Sequence, residues 1–284
     1  MDLPPFRFSL GARIYLTYVG FDFAAASRLP GGPRHLLTFN GAGLRQLRVA
    51  RRRGYRWLGI VSANSHLENV RRQQRLAWQQ YPIERPWAPM SVGRNTAEYA
   101  VADCIYVSSH YAWNSFVDEG YPSDRLRLFP LTPHPRFEPR SSPPRSSTFN
   151  VVYVGSLNVH KGVPLLIECF RSIPDDDIRL VLVGGASTRG MRRFVEQACA
   201  SDRRISVRPG DPLPHLQEAS VCVHPAYEDG FGYAPAEAVA CGVPVIVSAD
   251  TGMSDMIPSA AISVVPTGDL AALRDAIVAA YRGA

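Results

Sequence analysis

Lysine is almost missing from this chain. Of 31 basic side chains in 284 residues, 30 are arginine and Lys161 is the one lysine. Whatever an ammonium does here is therefore done at a single place, by a compact point charge rather than a planar fork. Cysteine is also sparse. The five thiols (Cys104, Cys169, Cys199, Cys222, Cys241) are odd in number, widely spaced and contain no C-x-x-C pair. That excludes a disulfide frame and a zinc site of ordinary spacing, and predicts reduced thiols. No run approaches the roughly 18 apolar residues that a membrane span needs. Asp2, a double proline and Arg13 interrupt any secretory h-region, which predicts a cytoplasmic protein. His, Asp and Glu nowhere gather at metal-ligand spacing, so neither a metal nor a separate cofactor is expected.

What is present is a globular composition, 46% hydrophobic and 20% charged, long enough for one large domain or two ordinary ones. Charge is uneven: residues 1–149 are net +10 and residues 150–284 net −4. The basic half suggests an anionic partner such as a membrane surface, a lipid-linked phosphate or nucleic acid. Its arginine runs (51–53, 71–72) fall on expected helices, where a solvated face explains them as well as a binding surface does.

Strand-type and helix-type segments alternate nearly throughout. In the first half, strands are expected at 14–20, 35–39, 56–63, 104–108 and 125–131. Helices are expected at 44–53, 66–81, 95–102 and 111–119, the third of these strands being followed by a helix with Leu67, Val70 and Leu76 on its apolar side. Ser109 is placed to cap the helix at 111–119. Residues 132–149 are rich in Pro, Ser and Arg and read as a linker. The second half restarts the alternation, ending in a helix over 270–282. Repeated βα units imply parallel sheets with right-handed crossovers. The fold class predicted is α/β, two Rossmann-like domains (1–140 and 149–284, joined by 141–148) facing a central cleft, with ligands at the C-terminal ends of the strands.

Two stretches could carry chemistry. In VVYVGSLNVHKGVP (151–164) a strand runs into a tight turn at Gly155, then a helix opened by Pro164 at its first position. A helix N-terminus offers unpaired N–H groups and the positive end of a dipole, which suits phosphate. Lys161 just before it could neutralise a diphosphate; the bland reading is a surface lysine. In residues 223–248 a strand ends at Pro225, a loop with Gly230 and Gly232 follows, and Pro235 opens a helix. Glycines at 230 and 232 let backbone amides approach a ligand closely. Glu237, in the first helical turn, can accept from a ribose diol or serve its own helix in a capping box. Glu228 and Asp229 can grip sugar hydroxyls or simply be solvated.

Asp229 and Glu237 stand in a D-x7-E relation around Gly230-Phe231-Gly232, followed by ACGVPVI. This resembles the E-x7-E motif of the family-four retaining glycosyltransferases of GT-B fold. Gly155-Ser156-Leu157 with Lys161-Gly162 and the segment Asp250–Asp255 also resemble that family's donor domain. Ala63-Asn64-Ser65-His66, Ala97-Glu98-Tyr99 and the stretch 108–131 are similar to its acceptor domain. Four motifs in order, over about residues 35–282, are more specific than any one.

The resemblance implies a nucleoside diphosphate sugar as donor and a hydroxyl as acceptor. Lys161 would contact the diphosphate, helped by His160, because Ser156 stands where the family usually has a basic residue. Glu237 would bind the ribose. Asp229, with Gly230, Phe231, Gly232 and Tyr233, would hold the donor sugar and phosphate. The base would stack near Arg208, Pro209, Gly210 and Leu216. His66 would approach the transferred sugar from the first domain; as a lone histidine it reads equally as one serving the start of a helix. The family's opening strand and Gly-rich loop have no counterpart after residues 14–20, Gly31-Gly32 reading as a turn. The chain looks shortened at both ends, the N-terminal domain being incomplete. A protein that holds the nucleotide sugar without transferring it is the alternative, and a peripheral contact of the basic half with anionic membrane is favoured over nucleic acid.

Overall fold

The structure is a computed structural model describing residues 10–139 and 148–283. Residues 140–147, within the expected linker, and residues 1–9, which hold the Asp2 and double proline considered against a leader, lie outside the described residues. Among the described residues, no helix is long and apolar enough to cross a membrane. The described chain divides into two compact units. The first holds residues up to 72 with 86–108 and 112–129; the second holds 73–85, 109–111 and those from 130 on.

The first unit has a four-stranded sheet of β1 (His35–Phe39), β2 (Trp57–Ser62), β3 (Cys104–Val107) and β4 (Leu126–Leu128), parallel and in chain order. Its helices are α1 (Leu10–Ser27), α2 (Leu44–Arg52), the first part of α3 (Leu67–Gln80), α4 (Val92–Val101) and most of α5 (His110–Asp118). Leu47 and Ala50 of α2, Tyr99 of α4 and Ala112 and Phe116 of α5 form one buried cluster with Leu58, Ile60, Ile105, Val107 and Leu126 from the strands.

Residues 14–20 are not a strand. Despite their β-branched and aromatic content they lie inside α1, a case of tertiary context overriding propensity. The helix puts Asp22 against the start of α2, where its buried carboxylate accepts from the N–H groups of Arg45 (2.7 Å) and Gln46 (2.9 Å) and pairs with Arg94. Glu98 completes this arrangement, accepting from Gly41 (2.6 Å), Gly43 (2.9 Å) and Leu44 (2.9 Å). A glycine-bearing turn therefore does follow the first strand, at 41–43, and carboxylates of the same unit fill its amides. Burial raises the Glu98 pKa, more than the three N–H groups and Arg94 lower it. On α3 the apolar stripe is Leu67, Val70 and Ala77; Leu76, half a turn round, is 52% exposed.

The second unit has six parallel strands ordered β10-β9-β8-β5-β6-β7. They are β5 (Phe149–Val154), β6 (Ile178–Val183), β7 (Ile205–Val207), β8 (Val221–His224), β9 (Val245–Ser248) and β10 (Ile262–Val265), the last not foreseen from sequence. The helices are α6 (Val163–Arg171), α7 (Arg189–Ser201), α8 (Leu213–Gln217), α9 (Tyr233–Ala240) and α10 (Leu270–Arg282). Alternate strand residues serve two cores. Val151, Tyr153, Leu180 and Val223 pack with α6, α7 and α10, while Val152, Val154, Cys222 and Val245 pack with α8 and α9. Strand order reverses between β5 and β8, so a crevice is expected at their C-terminal ends.

Glu98→Gln keeps the side-chain length but turns an amide NH2 toward backbone donors. It should lower stability by about 1–3 kcal/mol, read as a lower urea midpoint with unchanged slope.

Candidate functional site

The two stretches singled out in sequence leave the sheet at this switch point. After β5, Gly155 runs beside the end of β6 so closely that a Cβ on Gly184 would sit 1.9 Å from the Gly155 carbonyl oxygen. The Asn158 side chain then accepts from the Lys161 N–H, three residues on, at 2.7 Å, tightening the turn. Gly162 follows with φ +72° as the N-cap of α6. A Cβ there would lie 1.9 Å from the carbonyl oxygen of Pro225, at the end of β8. Only glycine lets the lysine-bearing turn close against that strand end. Val163 begins the helix, so Pro164 is its second residue rather than its first, still within the turn whose N–H groups have no helical partner.

Lys161 reaches across to the β8–α9 loop. Its Nζ is 2.8 Å from Asp229 Oδ2 and 3.1 Å from the Glu228 carbonyl oxygen. The Nε2 of His224, the last residue of β8, lies 3.0 Å from the same Asp229 oxygen. The other oxygen, Oδ1, accepts from Gly232 N–H at 2.9 Å. The Asp229 backbone is pinned as well, donating to Asp250 and accepting from Gly252 (2.9 and 3.0 Å). Burial opposes ionisation of this carboxyl, but the Lys161 ammonium and His224 outweigh it and hold it far below the usual carboxylate range. Lys161 and Asp229 keep 23% and 20% of their side-chain surface exposed, so a ligand can reach the pair.

Glu228, expected at the loop mouth, is fully buried and faces the other way. Its carboxylate lies 3.3 Å from His160 Nε2. Burial works against its charge, yet His160 and Lys161 bring its pKa below the ordinary value. Glu228 and His160 thus hold the two loops together. A buried carboxylate cannot grip a sugar hydroxyl, which corrects the reading from sequence. The loop amides at 231 and 232 likewise face the Asp229 carboxylate rather than a ligand.

The other expected site residues fall into four groups. Phe231 and Leu216 are core side chains, 2% and 0% exposed, because the loop and α8 must cover one face of the sheet; Leu216 thus offers no side-chain surface to a base. Arg208, Pro209 and Gly210 are exposed beyond β7, as are Ser156 and Tyr233. Glu237 is the fifth residue of α9, which starts at Tyr233, so the third-position geometry of a capping box does not apply. Its half-buried carboxyl is pushed up by burial against the pull of Arg136. His66 belongs to the first unit. It is 6% exposed, set between the rings of Tyr99 and Phe116 (4.9 and 5.0 Å), and its Nδ1 accepts from Glu68 N–H at 3.3 Å. Burial lowers its pKa.

Sequence reading missed several supports. The Tyr153 ring stacks on His224 (6.1 Å) while its hydroxyl donates to the Ser156 carbonyl at 2.9 Å, linking both loops from beneath. Glu84 accepts from Val159 N–H (2.7 Å) and from the hydroxyls of Ser187 and Thr188 (both 2.9 Å). The Ser109 hydroxyl, expected to cap a helix, donates to the Gly230 carbonyl at 2.6 Å, and Asp255 accepts from the first N–H groups of α5. His224 had a local signal, its place at a strand end before a proline. Glu84 and Ser109 had none, since their partners are 75 and 121 residues away.

Residues 148–282 match the family model described as Glycosyl transferases group 1. D-inositol 3-phosphate glycosyltransferase of Paenarthrobacter aurescens is 28% identical over 169 residues, 55% of this chain and 41% of that protein. O-antigen chain mannosyltransferase B of Escherichia coli is 26% identical over 159 residues, 50% of this chain and 42% of its own length. The chain thus spans between a quarter and two fifths of the length of the curated relatives it matches. Among solved structures, sucrose-phosphate synthase from Thermosynechococcus elongatus has a TM-score of 0.74 at 23% identity, covering 99% of this chain and 73% of that one. HepE of Anabaena, solved with UDP-glucose, has a TM-score of 0.67 at 16% identity, covering 96% and 72%. The chain has the α/β fold of GT-B glycosyltransferases, and its second unit is similar in sequence to the group 1 glycosyltransferases.

Proposed function

We propose that the chain transfers a glycosyl group from a nucleoside diphosphate sugar to a hydroxyl, with retention at the anomeric carbon. The observation that carries this reading is the Lys161–Asp229 pair, half-open at the switch point of the second sheet. An ammonium has three donors. Two are used on Asp229 and the Glu228 carbonyl, which leaves one for a phosphate oxygen. As the diphosphate departs and the anomeric centre becomes oxocarbenium-like, Lys161 and the first turns of α6 and α9 stabilise the growing negative charge. Glu237 is the acceptor for the ribose diol, its carboxyl making no hydrogen bond or ion pair with another described residue. HepE, solved with UDP-glucose, supports this class of donor; retention rests on the likeness of the D-x7-E segment to the family-four enzymes. Exposed Arg45, Arg48 and Arg52 along α2, beside exposed Phe23, support peripheral contact with anionic headgroups.

A thermal-shift screen of UDP, GDP, ADP and their sugars should find a stabilising ligand, worth about 2.7 kcal/mol at a hundredfold excess over its dissociation constant. Lys161→Ala should abolish that shift; equal shifts in both proteins would remove Lys161 from the site. Release of free nucleotide from the sugar donor, lost in Lys161→Ala, should accompany binding. Binding with no release by wild type would leave a protein that only holds the donor.

Asp229 has a folded pKa depressed below its unfolded value, so its stabilisation is complete above the ordinary value of about 3.9 and lost as pH falls toward the folded value. Asp229→Asn should therefore be less stable than wild type at pH 7 and should lose less on acidification. Parallel pH–stability curves for the two proteins would contradict this.

A further inference from the structure

The first sheet runs β1-β2-β3-β4 in chain order with every pairing parallel. Right-handed crossovers in such an order put every connecting helix on one face. The buried cluster agrees, since α2, α4 and α5 all meet the side bearing Leu58, Ile60 and Ile105. The opposite side carries Leu37 and Phe39 of β1, paired with Gly59 and Val61 of β2. Parallel sheets are ordinarily covered on both faces. Here Leu37 and Phe39 are 54% and 66% exposed, and α1 alongside leaves Tyr18 and Phe21 44% and 59% exposed.

Between α1 and this face runs a groove of about 680 Å³, walled by Ile14, Tyr18, Phe21, Leu37, Phe39 and Trp87. Asn40, Asn64 and Asn95 make one part of it polar. Asn95 is only 4% exposed; its amide nitrogen donates to Asn40, and its Oδ1 has no partner among the described residues. Buried amide oxygens rarely stay unpaired, and an entering hydroxyl supplies a donor to this Asn40–Asn95 pair. No acid, arginine, lysine or histidine is among the described residues lining the groove.

We propose that this groove binds an uncharged amphiphile: a molecule with an apolar chain or ring system and a hydroxyl-bearing end. Size and charge decide the class. The volume falls within the roughly 300–1,000 Å³ of small-molecule sites. Two turns of a peptide helix, about 11 Å long and 10 Å across, would need about 860 Å³. A phosphate or sulfate end would lose its hydration against neutral amides with no cation to replace it. That the ligand is also the hydroxyl acceptor rests on the transfer reading; its binding does not.

Decyl and octyl glucoside, below their micelle concentrations, are the probes, with decyl phosphate as the charged comparator. Binding is followed by tryptophan fluorescence, since Trp87 lines the groove, and by calorimetry. Decyl glucoside should bind saturably and tighter than octyl glucoside by roughly three- to fourfold per added methylene. Phe39→Asp, at an exposed position, should weaken it by about tenfold or more, whereas Leu16→Asp, exposed outside the groove, should not. The proposal is overturned if no uncharged probe saturates or if decyl phosphate binds as tightly as decyl glucoside. Equal weakening by Leu16→Asp would overturn it too, by showing adsorption to the surface at large. The thermal shift by whichever nucleotide sugar the screen finds, measured on the same samples, depends on Lys161 and not on Phe39, and so separates failure of the groove from failure of the donor site.

Discussion

One carboxylate organises the second unit. Asp229 joins the lysine-bearing turn after β5 to the loop after β8, taking the Lys161 ammonium and His224 on one oxygen and the Gly232 N–H on the other. A half-buried charge pair of this kind is stable only if both members stay together and the remaining lone pairs are satisfied. His224 and the loop amides do the satisfying. The pair therefore sets the distance between the N-termini of α6 and α9.

The supports beneath are of two sorts. Some are steric: Gly162 and Gly184 exist so that one backbone can pass within contact of another. Others are polar and buried, such as Glu228 with His160 and the Tyr153 ring under His224. Both sorts fix the two loops. In the first unit the same device appears with opposite effect. Asp22 and Glu98 fill the amides at the start of α2 with carboxylates of the unit itself, so no anion is called for there. What sets the turn after β5 apart is a partly exposed ammonium, Lys161, where the turn at 41–43 has only buried carboxylates.

Strand order accounts for the contrast between the units. A sheet whose order reverses gains helices on both faces and a crevice at the reversal. A sheet in plain chain order gains helices on one face and leaves the other to be met by something else. The apolar groove beside β1 and the meeting of the charged loops after β5 and β8 are consequences of these two orders.

The sequence by itself determined the alternation of strands and helices, because periods of 2 and 3.6 are local properties that burial imposes residue by residue. It also determined which lysine and which D-x7-E segment to examine, because glycine, proline and charge at a βα turn have local meaning. It misassigned residues 14–20, whose strand-like composition is outweighed by packing on α2 and by the placement of Asp22. Only the tertiary structure decided that Glu228 turns inward, that Leu216 and Phe231 are core, and that the loop amides already have an acceptor. Those facts depend on which neighbour lies across a gap of tens to a hundred residues of chain. Glu84 and Ser109 show why no local pattern carries them: their partners are brought near by the fold alone.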